Sequence, residues 1–182
     1  MRIAQQLYEG VTIGKGKTAE LVGLLTYIRT DSTRLSADSI LEVRTYIEAT
    51  YGATSVPEKP NEWKSKNSGS NVQDAHEAIR PTRMDLPPDA VAAYLTSDQA
   101  RLYKLVWDRF IACQMTPSVY DQTAVDIEAS VENRAHGLRV SGSVLKVAGW
   151  RAVYGANVTL AGEEGETAGD DEEATLPPLE EG

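Results

Sequence analysis

Residues 26–32 read Thr26-Tyr27-Ile28-Arg29-Thr30-Asp31-Ser32, and this stretch decides how the fold and chemistry of the chain are interpreted. It ends an apolar run over residues 21–25, which predicts a strand. Because side chains alternate between the faces of a strand, we expect Tyr27 and Arg29 to share one face. A phenol beside a fixed positive charge suits attack on a phosphodiester, the guanidinium stabilising charge on the non-bridging oxygens. Spacing alone leaves a second interpretation open, a half-buried strand whose Tyr27 and Arg29 only cover its end.

The net charge of the chain is unevenly distributed along the sequence. Of the 182 residues, 27 are acidic and 18 are Lys or Arg, which gives −9. Residues 161–182 hold nine of the acidic residues and no Lys or Arg; removing those nine leaves 18 acidic residues to balance the 18 basic ones. A surface for nucleic acid must therefore be a local arrangement within a neutral domain. The acidic end itself is predicted to be a solvated, flexible linker.

The single cysteine limits the classes of protein that the chain can represent. Cys113 has no second cysteine to pair with, which excludes an internal disulfide framework and a cysteine-rich zinc site. It lies in an apolar helical stretch and is predicted to be a small buried residue. No apolar segment approaches the roughly 20 residues that span a bilayer, and no signal peptide opens the chain, so we expect a soluble protein.

The first part of the chain has helical periodicity. Helices are predicted over residues 1–9, 37–51, near 89–95 and from a Ser97 cap to about 113. Ser36 should cap the second of these, with Gly52 just beyond its end. The last should turn a stripe toward the core, formed by Leu102, Leu105, Val106, Arg109 and Phe110. Residues 10–17 and 53–74 are predicted loops, and His76 and Glu77 should open a short helix that Pro81 ends.

Beyond Pro117 the periodicity changes from helical to alternating. Strands are predicted over residues 119–127 and 138–144, with a turn over 133–137 that includes His136. Trp150 and Val153 should pack on a third strand. The predicted fold class is therefore α+β, mostly helical to about residue 114 and then antiparallel β.

A glycine-rich loop gives a weaker signal. Gly14-Lys15-Gly16-Lys17-Thr18 is similar to a phosphate-binding loop, but Val11 occupies the position where that pattern needs glycine. The context of a strand that leads into a helix is also missing, so ATP binding is not predicted.

Two motifs together carry a family resemblance. Residues 26–32 closely resemble the active-site tyrosine segment of the type IA DNA topoisomerases, bacterial topoisomerase I above all. A second stretch resembles the other signature of that region, Ala75-His76-Glu77-Ala78-Ile79-Arg80-Pro81-Thr82. Ile28 stands where methionine or proline is expected, a conservative departure. The resemblance covers essentially the whole chain and implies a gate domain over residues 1–114, part of a β hinge domain over 115–160, and an acidic segment over 161–182.

The resemblance also implies a reaction and its residues. Tyr27 would attack single-stranded DNA, form a 5′-phosphotyrosine intermediate, and so relax negatively supercoiled DNA without ATP. The implied catalytic residues are Tyr27, Arg29 and His76. The implied DNA contacts are Arg29, Thr30, Asp31, Ser32, His76 and Arg80. For Arg80, an ion pair with an acidic neighbour competes with a phosphate contact, and for His76 the competing role is to hold a loop by a backbone hydrogen bond.

The resemblance further implies what this stretch does not contain. The Mg²⁺ ion of the intact enzyme would lie in a Toprim domain upstream, and this chain would bind no metal itself. We therefore expect an internal fragment, inactive alone, with the remaining domains of its parent polypeptide and DNA as partners, in the bacterial cytoplasm at the nucleoid. Alternatives are a non-catalytic module that binds single-stranded DNA, a structural gate segment, and a topoisomerase III or reverse gyrase parent.

Overall fold

The computed structural model describes residues 1–63, 76–131 and 134–155. The chain divides into two compact units, Met1–Thr116 and Pro117–Gly182. The predicted acidic segment over residues 161–182 lies outside the described residues, as do residues 64–74 of the predicted loop and Ala75 of the second motif. Helices and antiparallel strands together confirm the predicted α+β class.

The first unit begins with a helix and a small hairpin. Helix α1 (Arg2–Glu9) leads into strand β1 (Val11–Ile13), which pairs antiparallel with β2 (Glu20–Val22). The prediction that residues 10–17 are only a loop is therefore wrong in part. Gly14 turns the chain at a φ of 94°, and a Cβ there would lie 2.5 Å from the carbonyl oxygen of Thr18, so only glycine suits this turn.

Helix α2 (Ala37–Tyr51) follows its sequence signals closely. The Ser36 hydroxyl accepts a hydrogen bond from the Ser39 amide at 3.3 Å, and Gly52 ends the helix at a φ of 89°. Both the predicted cap and the predicted end are confirmed. Val43 and Ile47 are fully buried, so this face of the helix belongs to the core.

Helices α3 (Pro88–Val91) and α4 (Ser97–Cys113) complete the unit, with a 3₁₀ turn over Ala92–Tyr94 between them. The N-cap of α4 is Thr96, not Ser97 as predicted, because the Thr96 hydroxyl and the Gln99 side chain form a reciprocal capping box. Two further short helical turns lie outside these elements, at Gly16–Thr18 and Ala53–Ser55.

The predicted core stripe of α4 is wrong in part: Phe110 is buried as predicted, but most of the stripe lies beside the buried face. Leu105 and Arg109 are exposed, whereas the buried residues of α4 are Tyr103, Trp107, Phe110, Ile111 and Ala112. The large aromatic rings determine which face is buried: the Trp107 ring meets Tyr46 edge-on at 5.4 Å, and the Tyr103 hydroxyl donates to the Leu86 carbonyl at 2.8 Å. Helical periodicity was right, but it did not reveal which of two adjacent rows would be covered.

Cys113, at the end of α4, lies partly buried in this unit. Its thiol donates to the Phe110 carbonyl at 3.1 Å, and burial raises its pKa. The sequence predicted a small buried residue, and the side chain is partly buried; its raised pKa leaves little reactive thiolate.

The second unit is built on a two-stranded ribbon. Strands β3 (Val119–Val131) and β4 (Arg134–Val147) run antiparallel, with Val125 opposite Val140 and Ile127 opposite Leu138. The turn predicted over residues 133–137 is wrong, because residues 134–137, His136 among them, already pair with residues 128–131.

No third strand follows β4 in the described part of the chain. Residues 151–154 instead form the short helix α5 (Arg151–Tyr154), so that prediction is wrong. The Trp150 ring meets the Tyr154 ring at 6.0 Å, and the Arg151 guanidinium lies 5.6 Å from the centre of the Tyr120 ring. These contacts between aromatic and cationic groups replace the sheet packing expected for Trp150.

None of the helices within the described ranges is long and apolar enough to cross a membrane.

Candidate active site

The tyrosine segment is held in place although it forms no regular strand. Strand β2 ends at Val22 because its partner strand runs out at Val11, where α1 has only just ended. The expected strand through Tyr27 is therefore wrong. Beyond it, Leu25 makes an isolated β-bridge to Pro81. The predicted alternation of side chains nevertheless holds, since Ile28 is buried while Tyr27 and Arg29 face solvent.

The end of helix α1 fixes one side of this segment. The amides of Leu24 and Leu25 donate to the Leu7 carbonyl at 2.8 and 3.4 Å. A Cβ at Gly23 would lie 2.6 Å from the Tyr8 carbonyl oxygen, so the close approach of the two backbones needs glycine. Leu7, Leu24 and Leu25 are almost fully buried, and this apolar burial anchors the chain just before Tyr27.

The second motif fixes the other side. The Thr26 amide donates to the Arg80 carbonyl at 2.9 Å, its hydroxyl donates to the Ala78 carbonyl at 2.8 Å, and the hydroxyl also accepts from the Arg80 amide at 2.9 Å. The helix predicted at His76 and Glu77 is wrong, since these backbone groups are used in bonds to residues about 50 positions away. The two motifs that carry the family resemblance are thus joined directly.

The Tyr27 side chain lies between polar and aromatic neighbours. It is 44% exposed. Its ring centre lies 5.4 Å from that of Tyr8, at an interplanar angle of 62°, and 5.5 Å from that of His76, at 34°. Such edge-on and tilted arrangements are the favourable ones for aromatic pairs. The phenol is accessible to a ligand while its ring is supported by two others.

Charged groups are linked to Tyr27 through the His76 ring that it contacts. The Asp31 carboxylate lies 3.2 Å from Nδ1 of His76 and 3.9 Å from the Arg29 guanidinium. With Nδ1 directed at a carboxylate, the imidazole of His76 has Nε2 left for another partner. The Arg29 side chain is 58% exposed, and this exposure leaves it able to contact an anion. The structure therefore brings together Tyr27, Arg29, Asp31 and His76.

The other predicted site residues are placed differently. The Arg80 side chain is only 13% exposed, and its guanidinium donates to Glu77 Oε2 and to the Pro81 carbonyl, each at 2.9 Å. The Ser32 hydroxyl accepts from the Arg34 amide at 3.2 Å and so shapes the loop, while Thr30 is exposed. This arrangement favours the ion-pair alternative for Arg80, because a nearly buried, bonded guanidinium has little surface left for a phosphate.

The donor groups present do not form a magnesium site. In the ranges that the structure describes, no three His, Cys, Asp or Glu side chains come together. Asp31 already faces a guanidinium and an imidazole, whereas Mg²⁺ takes near-octahedral oxygen ligands, one or two of them carboxylates and the others waters or phosphates. No chemical step is therefore assigned to a metal held by these residues.

Sequence reasoning missed Tyr8. It lies in α1, 19 positions before the residue that it contacts, and its helical pattern gave no sign of a role beyond packing. The pairing of Thr26 with residues 78–80 was also missed, although two motifs expected at one site could have suggested that they touch.

Comparison with known proteins places the chain in a family. The model of the DNA topoisomerase family matches residues 1–182, that is, the whole chain. The chain belongs to this family of DNA topoisomerases, as the two motifs had indicated. Within it, the similar proteins are bacterial topoisomerases I, of type IA.

Two similar sequences and one similar structure show how close the resemblance is. The chain is 42% identical over 179 residues to DNA topoisomerase 1 of Xylella fastidiosa and 41% identical over 181 residues to that of Rickettsia felis. These matches cover 98% and 100% of the chain but only 20% and 21% of the relatives. The crystal structure of full-length topoisomerase I from Thermotoga maritima matches all of the chain and 25% of its own, at 32% identity and a TM-score of 0.70. The chain thus spans about one fifth of the length of its curated relatives.

Proposed function

We propose that this chain supplies the nucleophile of a type IA topoisomerase, and that Tyr27 is that nucleophile. The observation that carries the proposal is the accessible phenol of Tyr27 beside Arg29 and the Asp31–His76 pair. The imidazole contacts the ring of the phenol and is linked to the guanidinium through Asp31, and all three groups suit phosphoryl transfer.

The proposed reaction is a reversible transesterification of single-stranded DNA. The Tyr27 oxygen bonds to phosphorus as the phenol loses its proton, the bond from phosphorus to the 3′-oxygen breaks, and that oxygen gains a proton. DNA is then joined to Tyr27 through its 5′-phosphate. Attack by the 3′-hydroxyl reverses each step and releases the phenol. Because one phosphodiester is exchanged for another, the DNA is resealed without ATP, and strand passage in between relaxes negative supercoils.

Arg29 and His76 have separate roles in this proposal. The Arg29 guanidinium stabilises the negative charge on the phosphate oxygens in the transition state. His76, oriented by Asp31 through Nδ1, binds a phosphate or moves a proton with Nε2. Thr30 and Ser32 shape the loop against the DNA, and Asp31 acts through His76. We assign Arg80 a structural role, with its guanidinium paired to Glu77.

The rest of the active site is formed by regions that correspond to the parts of the relatives outside this match. We propose that Mg²⁺ is held there, that the chain alone does not relax DNA, and that its partners are those other domains and DNA in the bacterial cytoplasm. The gate role of residues 1–114 and the hinge role of residues 115–160 belong to the same proposal.

The test is a chimaera in which this chain replaces the matching fifth of the Xylella fastidiosa relative. We expect the chimaera to form a covalent adduct with an end-labelled single-stranded oligonucleotide on a denaturing gel, and to relax supercoiled plasmid. The Tyr27→Phe variant should bind the oligonucleotide equally well and give neither product. A folded chimaera that binds DNA but forms no adduct would favour a binding or gate module over an enzyme.

A further inference from the structure

Tyr8 is the one aromatic neighbour of Tyr27 that has no place in the chemistry described so far. Its ring contacts the Tyr27 ring edge-on at 5.4 Å, yet the side chain is 38% exposed. At this end of α1, Leu7 is the residue that packs into the hydrophobic core, since it is fully buried. Burial of apolar surface therefore does not explain why an aromatic ring stands at position 8.

The backbone that carries Tyr8 is held by hydrogen bonds to more distant parts of the chain. The Leu7 carbonyl accepts from both Leu24 and Leu25, and Gly23 lies against the Tyr8 carbonyl. On the other side, the Gln99 side chain of α4 donates to the Gln6 side chain at 3.2 Å. The same bonds that fix residues 23–25, just before the nucleophile, thus fix the helix end that carries Tyr8.

Tyr27 itself needs such support. It stands on irregular chain, and nearly half of its side chain is in solvent. An exposed tyrosine samples several rotamers, whereas attack on phosphorus requires the reacting atoms to be about 3–3.5 Å apart and aligned. A ring that contacts the nucleophile's ring lowers the number of rotamers available to it.

We propose that Tyr8 is a positioning residue for Tyr27, and that its ring restricts the nucleophile to reactive rotamers before DNA binds. This inference rests on the proposed function. The ring, not the hydroxyl of Tyr8, performs this role, so phenylalanine at position 8 should serve equally well.

The first test measures chemistry and binding separately in the chimaera. In single turnovers at saturating oligonucleotide, Tyr8→Leu should form the adduct about tenfold more slowly, as expected when an aromatic pair is lost from the reactive arrangement. Tyr8→Phe should keep the wild-type rate. The Kd for the oligonucleotide, measured with Tyr27→Phe present so that nothing is trapped, should be the same for all variants.

A matched control comes from the second unit. Tyr120 is 37% exposed and also makes a ring contact, with Arg151, so Tyr120→Leu removes a comparable side chain far along the sequence. It should leave the rate of adduct formation unchanged. An unchanged rate in Tyr8→Leu, or an equal loss in Tyr8→Phe, would overturn the proposal.

The second test needs no activity. The 182-residue chain is labelled with 3-fluorotyrosine, and the Tyr27 fluorine resonance is identified by its loss in Tyr27→Phe. Tyr8→Leu should shift and sharpen this resonance, since ring current and restraint are both lost, whereas Tyr8→Phe should not. If the resonance moved as expected but no chimaera formed an adduct, the proposed function would fail. If adducts formed but the resonance did not move, the positioning role would be wrong.

Discussion

The tyrosine segment is held mainly by tertiary contacts, whereas the ribbon of β3 and β4 is held mainly by strand pairing. Residues 24–28 form almost no regular secondary structure, yet they are held by buried leucines and by hydrogen bonds to residues more than 50 positions away. The ribbon pairs residue by residue from Tyr120 to Val131, but Ile127, Leu138 and Val144 remain exposed. A regular backbone is therefore not what fixes a site. Long-range bonds in the first unit do so, while a two-stranded ribbon is marginally stable by itself.

If the tyrosine segment performs chemistry, the largest effect apart from the loss of Tyr27 itself should come from Arg29. Arg29→Ala should slow adduct formation in the chimaera by about 10²–10³-fold, because a group aimed at transition-state charge is lost. The free energy of unfolding should change by less than about 0.5 kcal/mol, since the side chain is exposed. Arg29→Lys should fall between, because an ammonium cannot bond two phosphate oxygens in the same geometry. A normal rate in Arg29→Ala would remove Arg29 from the mechanism.

Arg80 tests whether the second motif supports the segment or contacts DNA. Arg80→Met should lower the free energy of unfolding by about 3 kcal/mol, because the partly buried Glu77 carboxylate then has no charged partner. Adding Glu77→Leu should restore most of the lost free energy of unfolding, as measured by chemical denaturation. Oligonucleotide affinity should be normal in the double variant, and a large loss of affinity there would show that Arg80 contacts DNA.

Thr26 tests the long-range bonds themselves. Thr26→Val keeps the shape of the side chain but leaves the Ala78 carbonyl and the Arg80 amide unpaired, so unfolding should become easier by about 2 kcal/mol. Thr45→Val is the matched control: its exposed hydroxyl donates to the Leu41 carbonyl within α2, and its loss should cost less than about 0.5 kcal/mol. Equal effects at the two positions would mean that the bonds between the motifs add nothing.

Tyr103 adds a pH dependence to the first unit. Burial raises the pKa of Tyr103 above its usual 10, so the folded state holds the phenol proton more tightly than the unfolded state does. This stabilisation is complete below pH 10 and is lost as the pH rises further. Tyr103→Phe should cost about 1 kcal/mol at pH 7, through the lost bond to Leu86, and should flatten the alkaline decline seen in thermal unfolding. An equally steep decline in the variant would contradict this assignment.

Substitutions in the ribbon should change the free energy of unfolding least. Ile127→Thr and Leu138→Thr, made together, exchange an exposed apolar cross-strand pair for one with good strand propensity, and unfolding of the 182-residue chain should change by about 0.5 kcal/mol or less. A loss of several kcal/mol would mean that these side chains are covered in solution, and would end the contrast with the tyrosine segment.

The two regions also differ in how far their sequences predicted them. Alternation placed β3 and β4, because a strand pattern is local, and Ser36 and Gly52 marked the ends of α2 for the same reason. Local signals also placed Tyr27 and Arg29 on one exposed side. They did not predict the bonds of Thr26 to residues 78–80 or the contact of Tyr8 with Tyr27. Contacts between residues far apart in the chain produce no periodic pattern in the sequence. The buried row of α4 was missed because Trp107 and Tyr103 outweighed the leucine pattern.

The central claim, that Tyr27 becomes covalently joined to DNA, is tested most directly by locating the bond. The adduct of the chimaera is digested with nuclease and trypsin and analysed by mass spectrometry. Cleavage after Lys17 and Arg29 gives a peptide of residues 18–29, in which Tyr27 is the only tyrosine, while Tyr8 falls in another peptide. We predict a residual nucleotide on the peptide of residues 18–29, assigned to Tyr27 by fragmentation. A nucleotide on any other residue would contradict the account.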